Sequence, residues 1–141
     1  MIDHAHMPLT APMLISPVAV AAAFIALASL LKESARQKFS AVFLAGAGAA
    51  YLSGGFGPWE FGFCAVITIL AYRGLTDYRA IAVGWLLHAG WDVAHHLWGN
   101  PIIPFAPSSS VGCAICDPII AVWYAFGAPT VWKIGAVRHG P

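Results

Sequence analysis

A short run of histidines with one aspartate lies inside an apolar stretch of the chain. The run W-L-L-H-A-G-W-D-V-A-H-H-L-W-G, residues 85–99, contains His88, Asp92, His95 and His96. On a helix that turns by about 100° per residue, the first three of these fall on one narrow stripe. Zinc, iron and copper all accept imidazole and carboxylate ligands. The spacing therefore predicts a transition-metal site.

A purely structural role for the same stripe stays open. In that interpretation Asp92 is a buried carboxylate that the neighbouring imidazoles hydrogen-bond, and it fixes the position of its helix. However, an ionisable cluster is costly in a membrane segment, where such residues usually face the protein interior and serve a function. We therefore favour a functional polar site over a structural one.

Two further carboxylates are expected at a similar depth. Glu60 begins the third apolar segment, and Asp117 begins the last one, so both lie near the end of the bundle at which the fourth segment finishes. His88 and His95 are about 10 Å apart along the axis of a regular helix, so one ion cannot bind both. Either two ions lie along the stripe, or His88 orients another ligand or carries a proton. The predicted metal ligands are His88, Asp92, His95, His96, Glu60 and Asp117.

A second motif, G-C-A-I-C-D-P at residues 112–118, contains Cys113 and Cys116. We predict that it ends an outer loop, with Asp117 as the N-cap of the last helix and Pro118 at its first position. In an oxidising compartment the two cysteines would form a disulfide. A helix N-terminus can instead lower the pKa of a thiol and make the pair redox-active. Metal ligation by the pair is the third alternative.

The composition indicates a membrane protein. The chain of 141 residues is 60% hydrophobic and 9% charged, whereas soluble domains carry about 25% charged residues. A net charge of +1 gives no basic face for nucleic acid. We predict a single all-α domain over residues 1–141, a polytopic transmembrane helix bundle. Its partners would be the lipid bilayer and a membrane protein or a second copy of the chain.

Five apolar segments are predicted as membrane helices, and all seven Lys and Arg residues then fall on one side of the membrane. The positive-inside rule makes that side cytoplasmic, so we expect the N-terminus outside and the C-terminus in the cytoplasm of a bacterial inner membrane. The second and third segments are short, so a re-entrant hairpin is an alternative to two full crossings. The predicted helices cover residues 13–31, 39–53, 59–72, 80–98 and 118–137, with an outer loop over 99–117.

Three motifs carry a resemblance to a known family: W-L-L-H-A-G-W-D-V-A-H-H (residues 85–96), N-P-I-I-P-F (100–105) and G-C-A-I-C-D (112–117). With them the chain resembles a family of uncharacterised small bacterial integral membrane proteins, over most of residues 18–130. The resemblance implies the membrane class and brings no activity with it.

The function predicted from these features is metal binding in a membrane. We expect a His/Asp/Glu site near the outer face that holds zinc or iron, in a metal carrier or a metal-dependent enzyme. One alternative is a thiol–disulfide redox protein that works through Cys113 and Cys116 with a quinone. Another is a non-catalytic accessory subunit of a membrane complex. The sequence leaves open whether the protein is an enzyme.

Overall fold

The computed structural model describes residues 10–132, apart from the side chain of Ser53, and this part of the chain folds into helices without a strand. The prediction of an all-α fold is confirmed. A short 3-10 turn, Ala50–Ser53, continues the second helix. The five α-helices are α1 (Ala11–Ala28), α2 (Glu33–Ala49), α3 (Trp59–Gly74), α4 (Tyr78–Trp98) and α5 (Ser109–Ala125).

The helices form one bundle in which α4 and α5 share the largest interface. α2 packs on α3, α1 packs on α5, and α3 packs on α4. Small residues let these helices approach closely. A Cβ atom added at Gly48 of α2, for example, would lie 2.6 Å from the Cγ2 atom of Ile67 in α3. The core consists mainly of aliphatic and aromatic side chains, among them Ala21, Leu44, Ile67, Ile81, Ile120 and Tyr124.

The last helix differs from the prediction. It begins at Ser109 rather than at residue 118 and ends at Ala125, so the loop before it covers residues 99–108. Pro118 lies inside this helix. Proline is tolerated within a helix when neighbouring helices compensate for the missing hydrogen bond. Asp117 is therefore not the N-cap that the sequence suggested. The predicted extension to residue 137 lies partly outside the described residues.

The bundle buries a set of ionisable groups and exposes many large apolar side chains; the buried groups include Glu60, His88, Asp92, His95 and Asp117. Phe61, Tyr72, Trp98 and Phe105, for example, are between 68% and 90% exposed. Within residues 10–132, α1 is the one helix that is long and apolar enough to cross a membrane, judged by length and composition. A signal sequence or the core helix of a soluble protein passes the same test. Five membrane crossings therefore stay a prediction.

Candidate metal centre

Helix α4 presents one polar face to the interior of the bundle. The helix begins after Asp77, whose side chain accepts a hydrogen bond from the backbone N–H of Arg79 at 2.9 Å. Because it then runs without a break to Trp98, residues three and four positions apart share a face. His88, Asp92 and His95 lie on that face and are at most 1% exposed.

His88 brings two carboxylates together. Its Nδ1 atom lies 3.0 Å from Oδ2 of Asp92, in the same helix, and 2.8 Å from Oδ2 of Asp117 in α5. One ligand atom from each of the three residues lies within 4.8 Å of the other two, and all three side chains are buried. We call His88, Asp92 and Asp117 the metal-ligand group.

The other nitrogen of the His88 ring is held by the backbone. Nε2 lies 3.1 Å from the carbonyl oxygen of Ala47 in α2. A carbonyl oxygen only accepts hydrogen bonds, so Nε2 donates and Nδ1 is the atom that faces the carboxylates. Histidines that bind metals usually donate their remote N–H in this way, which fixes the orientation of the ring.

A series of hydrogen bonds, each donated toward Asp92 or its partner, orients the Asp92 carboxylate. Its Oδ1 atom accepts from the hydroxyl of Tyr51, and the Tyr51 oxygen lies 3.1 Å from Oγ of Ser110. Ser110 Oγ in turn accepts from the backbone N–H of Ile102 at 3.0 Å. Since an ionised carboxylate only accepts, Tyr51 donates to Asp92 and Ser110 donates to Tyr51. Oδ1 is therefore occupied, while Oδ2 faces His88.

The dimensions of the metal-ligand group suit a small divalent ion. An ion with bonds of about 2.1 Å to nitrogen and oxygen keeps neighbouring ligand atoms about 3.0–3.4 Å apart at angles near 90–109°. The N–O separations of 2.8 and 3.0 Å in the group need to open only slightly to meet this. Two carboxylates and a neutral imidazole carry a charge of −2, which a divalent cation neutralises.

A pair of one imidazole and one carboxylate lies beside this group. Nε2 of His95 is 3.1 Å from Oε1 of Glu60 in α3. The two atoms are close but poorly aligned, and Nε2 makes no hydrogen bond within the described residues. Nδ1 of His95 lies 3.0 Å from the carbonyl oxygen of Asn100, to which it donates. His95 is thus oriented by a backbone carbonyl, as His88 is.

Glu60 is a fixed acceptor in this pair. Its Oε1 atom accepts from the backbone N–H of Phe56 at 3.1 Å, and its Oε2 atom accepts from Nε1 of Trp91 at 3.0 Å. The side chain is 2% exposed. The pair of Glu60 and His95 supplies fewer ligand atoms than the metal-ligand group, so it is the weaker of the two candidate positions for an ion.

The structure separates the six predicted ligands into three sets. His88, Asp92 and Asp117 form the metal-ligand group, while Glu60 and His95 form the neighbouring pair. His96 belongs to neither set: it is partly exposed, and its buried Nδ1 atom makes no hydrogen bond to the described residues.

Cys113 and Cys116 are free thiols in α5, not a disulfide in an outer loop. The pair lies within a helix rather than in a loop because α5 begins earlier than predicted. Cys64, in α3, is also free.

The sequence predicted no role for Tyr51, for Ser110 or for the carbonyl oxygens of Ala47 and Asn100. Tyr51 follows a run of small residues that indicates only helix packing, and Ser110 lies in a serine-rich stretch typical of a loop. A polar residue at the end of a packing helix is a weak signal that could have drawn attention to Tyr51. Backbone carbonyls leave no signal in a sequence.

The fold and the metal-ligand group define an all-α protein with a buried histidine–carboxylate centre. The chain belongs to a family of unknown function, DUF6010, whose family model matches residues 12–130. This confirms the resemblance to an uncharacterised family, while the bacterial origin stays a prediction. None of the curated proteins and none of the solved structures matches the chain.

Proposed function

We propose that this protein binds a divalent transition metal ion inside a membrane, with His88, Asp92 and Asp117 as ligands. The observation that carries the proposal is the direction of the His88 ring. Because Nε2 donates to Ala47, the Nδ1 atom faces two carboxylate oxygens at 2.8 and 3.0 Å. Three acceptor atoms so close together repel one another unless a cation or a proton lies between them.

Of the ions that suit this set of ligands, we propose zinc or iron. Imidazole favours zinc, iron, copper and nickel, whereas a site made only of oxygen ligands would favour magnesium or calcium. The proposal covers a metal carrier and a metal-dependent enzyme, since both need a buried site of this kind.

The location in a membrane is supported by the distribution of side chains. Large apolar residues cover the outside of the bundle, and exposed aromatic residues lie near the helix ends, where lipid-facing tryptophan and tyrosine are common. Trp59 and Trp98 lie at one end of the bundle and are 76% and 75% exposed, while Tyr72 lies at the other and is 75% exposed. Water is a poor solvent for such a surface, and a bilayer is a good one.

The test is the metal content of protein purified in detergent without chelators. We expect wild-type protein to carry about one equivalent of zinc or iron per chain, or to take it up on reloading. His88→Gln and Asp92→Asn each remove one charged or coordinating ligand atom and should lose the ion. Elemental analysis by mass spectrometry gives the stoichiometry, and circular dichroism with size-exclusion chromatography checks that each variant is folded.

His96→Gln is the matched control, because His96 lies in the same helix but outside the metal-ligand group. It should keep the metal. Equal metal content in the wild type, His88→Gln and His96→Gln would contradict the proposal, as would wild-type protein that stays far below one equivalent after reloading.

A further inference from the structure

Two contacts determine how α4 and α5 lie against each other. Nδ1 of His88 meets Asp117 at 2.8 Å. Nearer the start of α4, the ring of Tyr78 stacks on that of Tyr124, with 5.8 Å between the centroids. As α4 runs from Tyr78 to His88, its partner positions on α5 therefore run backwards from Tyr124 to Asp117. The two helices are antiparallel, and their relative position along the axis is known.

This arrangement brings Cys113 level with Asp92. Asp92 lies about one helical turn beyond His88 in α4, and Cys113 lies about one turn before Asp117 in α5. In an antiparallel pair both steps lead in the same direction, by about 6 Å. Cys113 therefore stands opposite Asp92, in the next layer of the same interface.

Cys113 also lies on the correct face of its helix. It follows Ser110 by three residues and precedes Asp117 by four, and side chains at these offsets are neighbours on a helix surface. Ser110 and Asp117 both point into the site, where they contact Tyr51 and His88. The side chain of Cys113 itself is half-buried.

We propose that Cys113 is the fourth ligand of the ion held by His88, Asp92 and Asp117, an inference that rests on the proposed function. One nitrogen, two oxygens and one sulfur make four ligands, the number in a closed tetrahedral zinc site. The thiol loses its proton to the solvent as the sulfur–metal bond forms. In the structure the sulfur stands outside the three-atom group, so ligation requires a movement of the side chain, such as a change of rotamer about the Cα–Cβ bond.

A thiolate ligand has two consequences for function. It selects zinc, cobalt(II) or iron(II) over magnesium and manganese, which prefer oxygen ligands. Catalytic zinc sites keep one position open for water or substrate, whereas a set of four protein ligands closes the site. Ligation by Cys113 therefore favours a protein that holds or carries the ion over an enzyme.

The test uses cobalt(II), whose bond to a thiolate produces a sulfur-to-metal charge-transfer band in the near ultraviolet. Wild-type protein reloaded with cobalt should show this band. Cys113→Ser should lose it and bind zinc at least about tenfold more weakly, the smallest loss expected even for an indirect partner of a metal. Cys116→Ser is the matched control, because Cys116 lies one turn away, is 8% exposed and packs in the apolar core. This variant should keep the charge-transfer band and the wild-type affinity for zinc.

The outcomes separate this inference from the proposed function. If the wild type binds cobalt in an Asp92-dependent way but without a charge-transfer band, the metal site stands and Cys113 is not a ligand. A band that persists in Cys113→Ser, or that disappears in Cys116→Ser instead, also overturns the assignment. Failure of the wild type to bind cobalt or zinc overturns both proposals together.

Discussion

The ring of Tyr51 stacks on the imidazole of His95, with 4.0 Å between the centroids and 22° between the planes. The hydroxyl of the same tyrosine donates to Asp92. Tyr51 thus touches both sets: its ring stacks on His95 of the neighbouring pair, and its hydroxyl orients a carboxylate of the metal-ligand group. The two sets are neighbours that share this one side chain.

Replacing Tyr51 by phenylalanine should weaken metal binding while the ring stack is kept. The substitution removes only the hydroxyl that orients Asp92, and loss of such a partner typically lowers metal affinity by about 10–100-fold. Competition with a chromophoric chelator measures the change. Tyr72→Phe, at a tyrosine that is 75% exposed, is the control and should bind as the wild type does. Equal affinity in both variants would contradict the assigned role of the hydroxyl.

Metal binding should release protons. A proton must lie between Nδ1 of His88 and the carboxylates when no ion is bound, because their separations of 2.8 and 3.0 Å are those of a hydrogen bond. The ion displaces this proton and, by our inference, that of the Cys113 thiol. Calorimetry in buffers of different ionisation enthalpy should give about two protons per ion, and about one in Cys113→Ser. A binding heat that does not depend on the buffer would refute this.

An alanine at Gly48 should destabilise the bundle. Its Cβ would lie 2.6 Å from Cγ2 and 2.7 Å from Cβ of Ile67, a fully buried and branched side chain that has little room to move. Overpacking of this kind costs about 1–3 kcal/mol. Gly46→Ala, in the same helix with no atom within 4 Å of the new Cβ, should be neutral or slightly stabilising. Denaturant titration in detergent compares the two, and equal free energies of unfolding would argue against this packing.

Glutamine at position 60 should also lower stability. Both carboxylate oxygens of Glu60 accept hydrogen bonds, from Phe56 and Trp91, and the amide nitrogen of glutamine cannot accept. A buried donor left without a partner costs about 1–3 kcal/mol. Asp77→Asn is the control, since asparagine caps a helix about as well as aspartate. Denaturant titration in detergent measures the free energy of unfolding of both variants. A Glu60→Gln variant as stable as Asp77→Asn would contradict these two hydrogen bonds.

The orientation in the membrane can be tested with reporter fusions. From the one-sided distribution of lysine and arginine we expect a fusion at Thr76, between α3 and α4, to report the cytoplasm. A fusion at the C-terminus should do the same, and one at Pro104, in the loop before α5, should report the outside. A cytoplasmic signal at Pro104 would contradict the proposed topology.

The polar stripe of α4 was predictable because helical periodicity alone determines which residues share a face. The interior position of His88, Asp92 and His95 was predicted from their spacing together with the cost that exposed ionisable groups would carry in a membrane segment. Spacing also indicated that His88 and His95 could not share one ion. The structure accordingly places them in two different sets.

The partner of His88 was harder to predict, since it depends on where α5 begins. Asp117 followed by Pro118 is typical of a helix start, and that local preference led to a loop over residues 99–117. Packing against α4 and α1 outweighs the preference, so the helix includes both residues. Contacts such as that of Ala47 with His88, 41 residues apart, depend on tertiary structure that no local pattern encodes.

The chain order of the metal-ligand group has a consequence for how the protein is made. His88 and Asp92 are neighbours in α4, but Asp117 is 29 residues further along than His88 and lies in α5. During synthesis the first four helices can assemble with an incomplete set of ligands, and the affinity for an ion rises only when α5 takes its place. An ion at this site would therefore bind last, after α5 has packed, and would hold α4 and α5 together. Its presence would mark chains whose folding is finished, and a metal-starved cell would accumulate chains in which α5 is held less firmly.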